Sequence, residues 1–150
     1  MRLSIKCWNM RKIWDGGNVN ITSWELIPND SVNGMKFGME RSEIRKLLGK
    51  PEKVFRKTSA AVNTTDAYAD FHVYYSAEDR MEAIEFFNGN INLYIKLQRL
   101  LPGTLNEARS LFPDLTGSDE FYTSKASSVA ICLEADKIVS VLVGRKDYYK

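Results

Sequence analysis

The sequence contains two segments with the same helix-forming pattern, and each is followed by residues typical of β-strands. GMERSEIRKLLG at 38–49 aligns with PGTLNEARSLFP at 102–113 at an offset of 64 residues, which places Glu43 on Glu107. Similarity at a fixed spacing is the sequence signature of a repeated structural unit, and such a repeat limits the fold more than any single residue does. We therefore interpret the chain as two copies of one helix-plus-strands unit.

The strand-like parts of the two units also match. YYSAEDRMEAIEFF at 74–87 resembles AICLEADKIVSVLV at 130–143 when Asp79 is placed on Asp136, an offset of 57 residues. The smaller offset gives the second unit a connection that is 7 residues shorter (64 minus 57). Insertions usually fall in surface loops, and RKTSAAVNTTDAYAD at 56–70 is the candidate for the longer loop.

The first helix is predicted over residues 40–48. Ile44, Leu47 and Leu48 follow the i, i+3, i+4 spacing that places apolar side chains on one face of a helix. Gly49 accepts the left-handed conformation with which many helices end, so we expect the helix to stop there.

The second helix has a stronger start signal. Thr104 and Glu107 form the T-x-x-E pattern of a capping box, in which each side chain satisfies a backbone N–H group of the other residue. Pro113 prevents the helix from continuing. The apolar stripe between these signals consists of Leu105, Ala108, Leu111 and Phe112.

Strand patterns account for much of the remaining chain. In ADFHVYYS, Phe71 and Val73 alternate with polar residues, as in a half-buried strand. Turn residues at 88–90 predict a hairpin between MEAIEFF and INLYIKL. A tight turn at 135–136 predicts a second hairpin between SSVAICLE and KIVSVLVG.

These elements predict an α+β fold of two tandem helix-plus-antiparallel-strand units. Their strands would form one continuous sheet, with the short helices packed on one face. We treat the 150 residues as a single domain with an N-terminal hairpin at 1–30, repeat unit one at 31–90 and repeat unit two at 91–150.

Charge and composition exclude several classes of partner. Lys and Arg total 21 and Asp and Glu total 19, and a net charge of +2 argues against nucleic acid as the main partner. Apolar runs are shorter than the roughly 18–20 residues that a membrane span needs, and a secretion signal is not recognisable. We therefore predict a cytoplasmic protein without membrane contact, whose Cys7 and Cys132 are reduced thiols.

The sequence does not contain a recognisable catalytic or metal-binding constellation. His72 is the single histidine, and neither cysteine has another Cys or His at ligand spacing. Glycine-rich phosphate-binding patterns are missing as well. We therefore expect neither enzymatic activity nor a cofactor or metal site, and we interpret His72 as a surface residue on the polar face of a strand.

A protein-binding surface is predicted on one face of unit one. Alternate residues from 68 to 74 are aromatic, acidic or histidine, and should line an exposed face opposite the apolar one. Aromatic side chains act as rigid anchors in protein interfaces, and acids of the next strand would face basic residues of the partner. The predicted partner-binding residues are Tyr68, Asp70, His72, Tyr74, Glu82 and Glu85.

Residues 25–51, ELIPNDSVNGMKFGMERSEIRKLLGKP, resemble a pattern of small bacterial proteins in which a strand ends in FGM, a short helix follows, and an LLG-x-P exit leads to antiparallel strands. The outer-membrane-assembly lipoproteins of the SmpA/OmlA type show a similar helix and turn, and the β-lactamase inhibitor protein duplicates such a unit. Small bacterial immunity proteins are similar in size. The export signal and lipidation site of the lipoproteins are missing here, so the resemblance implies a tandem-unit binding protein.

Two classes of function are open at this point. The first is a cytoplasmic immunity protein that neutralises a cognate bacterial toxin by occluding its active site. The second is a small enzyme or ligand-binding domain with a pocket between the two units, for which His72, Asp70 and the tyrosines are the candidate groups. We expect the first, because a binding protein needs no reactive set.

Overall fold

The computed structural model describes residues 21–149, so most of the predicted N-terminal hairpin at 1–30 lies outside the described residues. The helices are α1 (Arg41–Leu48) and α2 (Leu105–Leu111). The strands are β1 (Ser23–Ile27), β2 (Ser31–Val32), β3 (Met35–Lys36), β4 (Lys53–Phe55), β5 (Thr65–Ala67), β6 (Phe71–Tyr75), β7 (Met81–Phe87), β8 (Asn92–Ile95), β9 (Gln98–Leu101), β10 (Thr116–Ser118), β11 (Phe121–Ser124), β12 (Val129–Glu134) and β13 (Lys137–Gly144).

The predicted α+β class is wrong, because the fold is mostly β. Strands account for 47% of the structure and helices for 12%. The strands also form two sheets instead of one continuous sheet. One sheet has eight strands in the order β10-β11-β12-β13-β7-β6-β5-β4, and the other has five in the order β3-β2-β1-β8-β9.

Two physical features explain this error. Several strands are only two to four residues long and have polar or mixed sequences, such as Thr65–Ala67 and Thr116–Ser118, so they have no alternating pattern that could reveal them. Their extended conformation is instead imposed by hydrogen bonding to the neighbouring strand. Strand preference depends on this context more than helix preference does.

The two hairpin predictions have different outcomes. The hairpin at 135–136 is confirmed, since β12 and β13 pair in antiparallel fashion around that turn. The hairpin at 88–90 is wrong, because β7 pairs with β6 and β13 whereas β8 joins the other sheet. There β8 lies parallel to β1 and antiparallel to β9. The turn at 88–90 therefore carries the chain from one sheet to the other.

The centre of the eight-stranded sheet is the pairing of β7 with β13. Five residue pairs, from Ser140 with Phe87 to Gly144 with Ala83, join them in antiparallel register. On each side the strands follow in reverse chain order, β6-β5-β4 on one side and β12-β11-β10 on the other. Each half of the sheet thus consists of the four strands that follow one helix.

One backbone hydrogen bond occurs at aligned positions in both halves of the chain. The N–H of Arg41, at the start of α1, donates to the carbonyl of Asp79. The N–H of Leu105, at the start of α2, donates to the carbonyl of Asp136. The residue numbers of the two donors differ by 64 and those of the two acceptors by 57, which are the offsets of the sequence alignment. Aligned residues therefore occupy corresponding places in the two halves.

Both helices form where their local signals predict. Gly49 follows α1 with a φ of 85°, a left-handed conformation that glycine accepts without a steric penalty. At α2 the Thr104 side chain accepts from the Glu107 N–H, and the Glu107 carboxylate accepts from the Thr104 N–H. Because these contacts involve residues only three apart, sequence alone reveals them.

A single hydrophobic cluster links both sheets and both helices. Trp24 of β1 connects the two sheets within it, with ring centroids 4.8 Å from Phe71 and 5.1 Å from Phe86 of the larger sheet. Aromatic pairs at these separations are favourable beyond the area they bury. Other buried members are Leu26, Ile44, Leu48, Leu93, Leu101, Ala108, Ile131 and Val141.

Asp66 of β5 connects α1 to the larger sheet. Its carboxylate is fully buried and accepts two hydrogen bonds from the Arg45 guanidinium, at 2.7 and 2.6 Å. Arg41 lies 3.7 Å from the same carboxylate and stacks over the Tyr75 ring. The hydrogen bond to Asp66 also raises the pKa of Arg45. Bidentate geometry makes such a pair both strong and directional.

We expect Asp66→Ala to lower the free energy of unfolding by about 3 kcal/mol. Removing one partner of a buried pair leaves the other charge uncompensated, and the cost is at the lower end of the usual range because Arg45 reaches solvent. Urea denaturation followed by circular dichroism measures the change. Asp30→Ala, which removes an exposed ion pair with Lys36, is the control and should leave the midpoint unchanged. Equal midpoints for the two variants would contradict the role assigned to Asp66.

Candidate protein-binding surface

Tyr68 does not lie on the face on which it was predicted. It follows β5, and its ring stacks on Phe71 at 4.8 Å within the main core. Its hydroxyl donates to the carbonyl of Gly49 at 2.8 Å, at the end of α1. Burial raises the pKa of this phenol. The prediction that Tyr68 shares an exposed face with His72 and Tyr74 is therefore wrong, because the chain turns between β5 and β6.

His72, Tyr74 and Glu85 do lie together on the second face of the larger sheet, but this face is buried. Their exposed fractions are 2%, 4% and 2%, so the predicted exposure is wrong. The Tyr74 hydroxyl donates to the Glu85 carboxylate at 2.5 Å, and the His72 ring packs edge-on against Phe87 at 4.7 Å. Contact of these three residues with a partner remains a prediction.

Asp70 and Glu82 keep partial access to solvent. The Asp70 carbonyl accepts from the Phe87 N–H at 3.0 Å, which positions the turn before β6. The Glu82 carboxylate lies 3.6 Å from the Arg145 guanidinium, and the Glu82 carbonyl accepts from the Arg145 N–H. The six predicted residues are thus divided between the core, the second face and the sheet rim, and do not form one exposed surface.

Residues near the C-terminus pack on the second face. The rings of Tyr148 and Tyr149 meet edge-on at 5.1 Å and contact a buried cluster that includes Tyr74 and Leu142. Burial, together with the nearby carboxylates Glu82 and Glu85, raises the pKa of Tyr148 to about 12. The neutral phenol is therefore the form that the folded state favours.

This pKa predicts a loss of stability at alkaline pH. The folded-state pKa of Tyr148 lies above the unfolded value of about 10. Its contribution to the free energy of unfolding is therefore complete below pH 10, and is lost as the pH rises towards about 12. Spectrophotometric titration of the tyrosines should show that the Tyr148→Phe variant lacks one phenol that ionises near pH 12. Loss of a group that titrates near pH 10 would contradict this assignment.

Within residues 21–149, no three His, Cys, Asp or Glu side chains are grouped so that they could hold a metal ion. Neither α1 nor α2 has the length and apolar composition needed to cross a membrane.

The tip of the β8–β9 hairpin exposes a large apolar side chain. Leu97 is 99% exposed, the highest value among the large apolar residues between positions 21 and 149. Lys96 precedes it with a φ of 52°, in the left-handed region. This conformation is unfavourable for a residue with a long side chain. The left-handed backbone at Lys96 costs stability, and the exposed Leu97 side chain contributes almost no burial that would offset this cost.

Other non-glycine residues of the described chain also have a left-handed backbone. Asn and Asp tolerate this region because their short polar side chains bond locally, and they are the usual turn residues. Here they account for most of the non-glycine cases: Asn29, Asn33, Asp79, Asp119 and Asp147. Ser128, Ala135 and Lys96 are the other three, and of these Lys96 is the one that precedes an exposed large apolar side chain. A left-handed lysine next to an exposed leucine supports a hypothesis of function.

The base of the hairpin is firmly held. Leu93, Leu100 and Leu101 are fully buried, and Ile95 is nearly so. Tyr94 pairs with Arg99 across the two strands, one step below the tip. The tip is therefore presented by a well-packed base, which lowers the ordering cost of binding a partner.

A groove lies beside the hairpin and continues to the start of α2. It consists of two adjoining hollows of about 350 and 290 Å³ that share Arg99 and Glu107. Tyr94, Leu97, Gln98 and Ser110 complete the first hollow. The second includes Thr104, Lys137 and Ile138. Tyrosine and arginine are enriched among residues that dominate binding energy, and the groove contains one of each beside the exposed leucine.

Sequence reasoning missed this surface for an identifiable reason. INLYIKL has the alternation of a buried strand, and Leu97 has the same parity as Leu93 and Ile95. The turn at Lys96 and Leu97 contains no Gly, Asn, Asp or Pro that would mark it. The only local signal is the polar sequence Gln98-Arg99 that follows.

Comparison of the chain with protein-family models, curated proteins and solved structures finds no significant match.

Proposed function

We propose that this chain is a cytoplasmic protein-binding domain, an immunity protein that neutralises a cognate bacterial toxin by occluding its active site. The observation that supports this proposal best is the exposed Leu97 at the tip of a hairpin whose base is buried. A projecting apolar residue on a rigid support suits insertion into a cleft of another protein.

The energetics favour Leu97 as an anchor. Complete burial of a leucine side chain is worth about 1.5–3 kcal/mol relative to leaving it in water. That gain is available only on binding, since the side chain buries almost nothing within this protein. Tyr94 and Arg99 lie beside it in the groove and can extend the contact.

The alternative, a ligand-binding pocket between the two units, has less support. The two halves of the larger sheet meet through direct pairing of β7 with β13 over five residue pairs. The groove instead lies between the β8–β9 hairpin and α2.

Co-expression tests the function. We expect the neighbouring gene to encode a large secreted protein, and the probe is the C-terminal domain of that protein, expressed at a level that stops growth. We expect this chain to restore growth and to form a stable complex with the domain in size-exclusion chromatography. Failure of both would contradict the immunity function.

We expect Leu97→Ala to raise the Kd for that toxin domain by about 10- to 100-fold, which corresponds to the 1.5–3 kcal/mol of a buried leucine. The urea midpoint should not change, because Leu97 is exposed in the free protein. Isothermal titration calorimetry measures the affinity. Val62→Ala, at another exposed apolar residue, is the matched control. Equal affinities for the two variants would show that the hairpin tip is not the anchor.

A further inference from the structure

We infer that the partner presents an acidic cleft with an apolar floor, into which the β8–β9 hairpin inserts. This inference rests on the proposed binding function and specifies the chemistry of the surface that is bound. It assigns Leu97 to the floor, and Lys96 and Arg99 to carboxylates at the rim.

The charged side chains of the hairpin are all positive. Residues 88–101, NGNINLYIKLQRLL, include Lys96 and Arg99 and contain no Asp or Glu. Both cations are exposed. Lys96 lies beside Leu97 at the tip, and Arg99 follows Leu97 by two residues, on β9. A cleft that admits the leucine therefore brings its rim close to two positive charges.

The groove beside the hairpin is also lined by more positive than negative side chains. Arg99 and Lys137 line it, and Glu107 is its one lining carboxylate. That carboxylate already accepts the Thr104 N–H at 2.9 Å and the Thr104 hydroxyl at 3.3 Å. Two lining cations against one lining carboxylate leave the groove with a net positive charge.

This charge arrangement is opposite to the one predicted from sequence. The acids expected to face a basic partner included Glu82 and Glu85, which instead contact Arg145 and Tyr74 of this chain. Opposite charges across an interface steer association and select the partner, so the exposed cations favour an acidic surface.

The left-handed backbone of Lys96 gives a second argument that this lysine serves binding. A left-handed turn position favours Asn or Gly, and a lysine there is less stable than either. Lys96→Asn keeps the turn geometry and removes the charge. If the lysine serves binding, this variant should have an equal or higher urea midpoint and a higher Kd.

The test compares the charge-reversed variant Lys96→Glu/Arg99→Glu with wild type, using the toxin domain described above as the probe. We expect the double variant to raise the Kd by about tenfold or more, and to remove most of the salt dependence of the association rate. Lys125→Glu, at an exposed lysine in another turn, is the matched control and should bind like wild type. Far-ultraviolet circular dichroism checks that each variant is folded.

The outcomes separate the two proposals. Binding by wild type that is weakened by charge reversal and by Lys96→Asn, but not by Lys125→Glu, supports the acidic cleft. Binding of equal strength by wild type and the double variant overturns the acidic cleft and leaves the immunity function standing. Absence of binding and of growth rescue by wild type overturns the immunity function, and this inference with it.

Discussion

The pairing of β7 with β13 is the constraint on which the rest of the structure depends. Both strands are long, and their core-facing residues, such as Ile84, Phe86, Val141 and Val143, are buried. If these strands did not pair, each half would expose an edge with unsatisfied backbone groups and an apolar face. Their union gives one sheet that is wide enough to cover the core shared with β1 and β8.

Around that centre, the two halves use the same backbone plan with different side-chain chemistry. The bulge between Tyr74 and Tyr75 in one half corresponds to the bulge between Cys132 and Leu133 in the other. A bulge bends a strand and increases its twist, so the matched positions give both halves a similar shape.

The helix contacts show how the two halves differ in chemistry. In the first half, Arg45 of α1 forms an ion pair with the buried Asp66. In the second, Arg109 of α2 lies over the Tyr122 ring at 5.5 Å. A guanidinium suits both arrangements, because it forms bidentate hydrogen bonds and also stacks on aromatic faces. The first half is therefore stabilised by a buried charge pair, and the second by a weaker contact near the surface.

This difference also bears on where we propose that a partner binds. Sequence reasoning placed the site in unit one, where aromatic and acidic residues are concentrated. In the folded protein much of that polarity is satisfied internally, as in the hydrogen bond from Tyr74 to Glu85 and the ion pair of Asp66 with Arg45. The anchor that we propose, Leu97, instead lies on the smaller sheet, outside the repeated elements of the larger sheet.

The sequence by itself determined what depends on near neighbours along the chain. Both helices, the capping box of Thr104 and Glu107, and the β12–β13 hairpin follow from contacts a few residues apart. Only the tertiary structure decided which strands pair and which faces are buried. A short strand such as Thr116–Ser118 is extended because a neighbour hydrogen-bonds to it, and His72 is buried because other side chains pack over it. Leu97 shows the limit most clearly, since alternation marks it as a core residue and the hairpin turn leaves it in water.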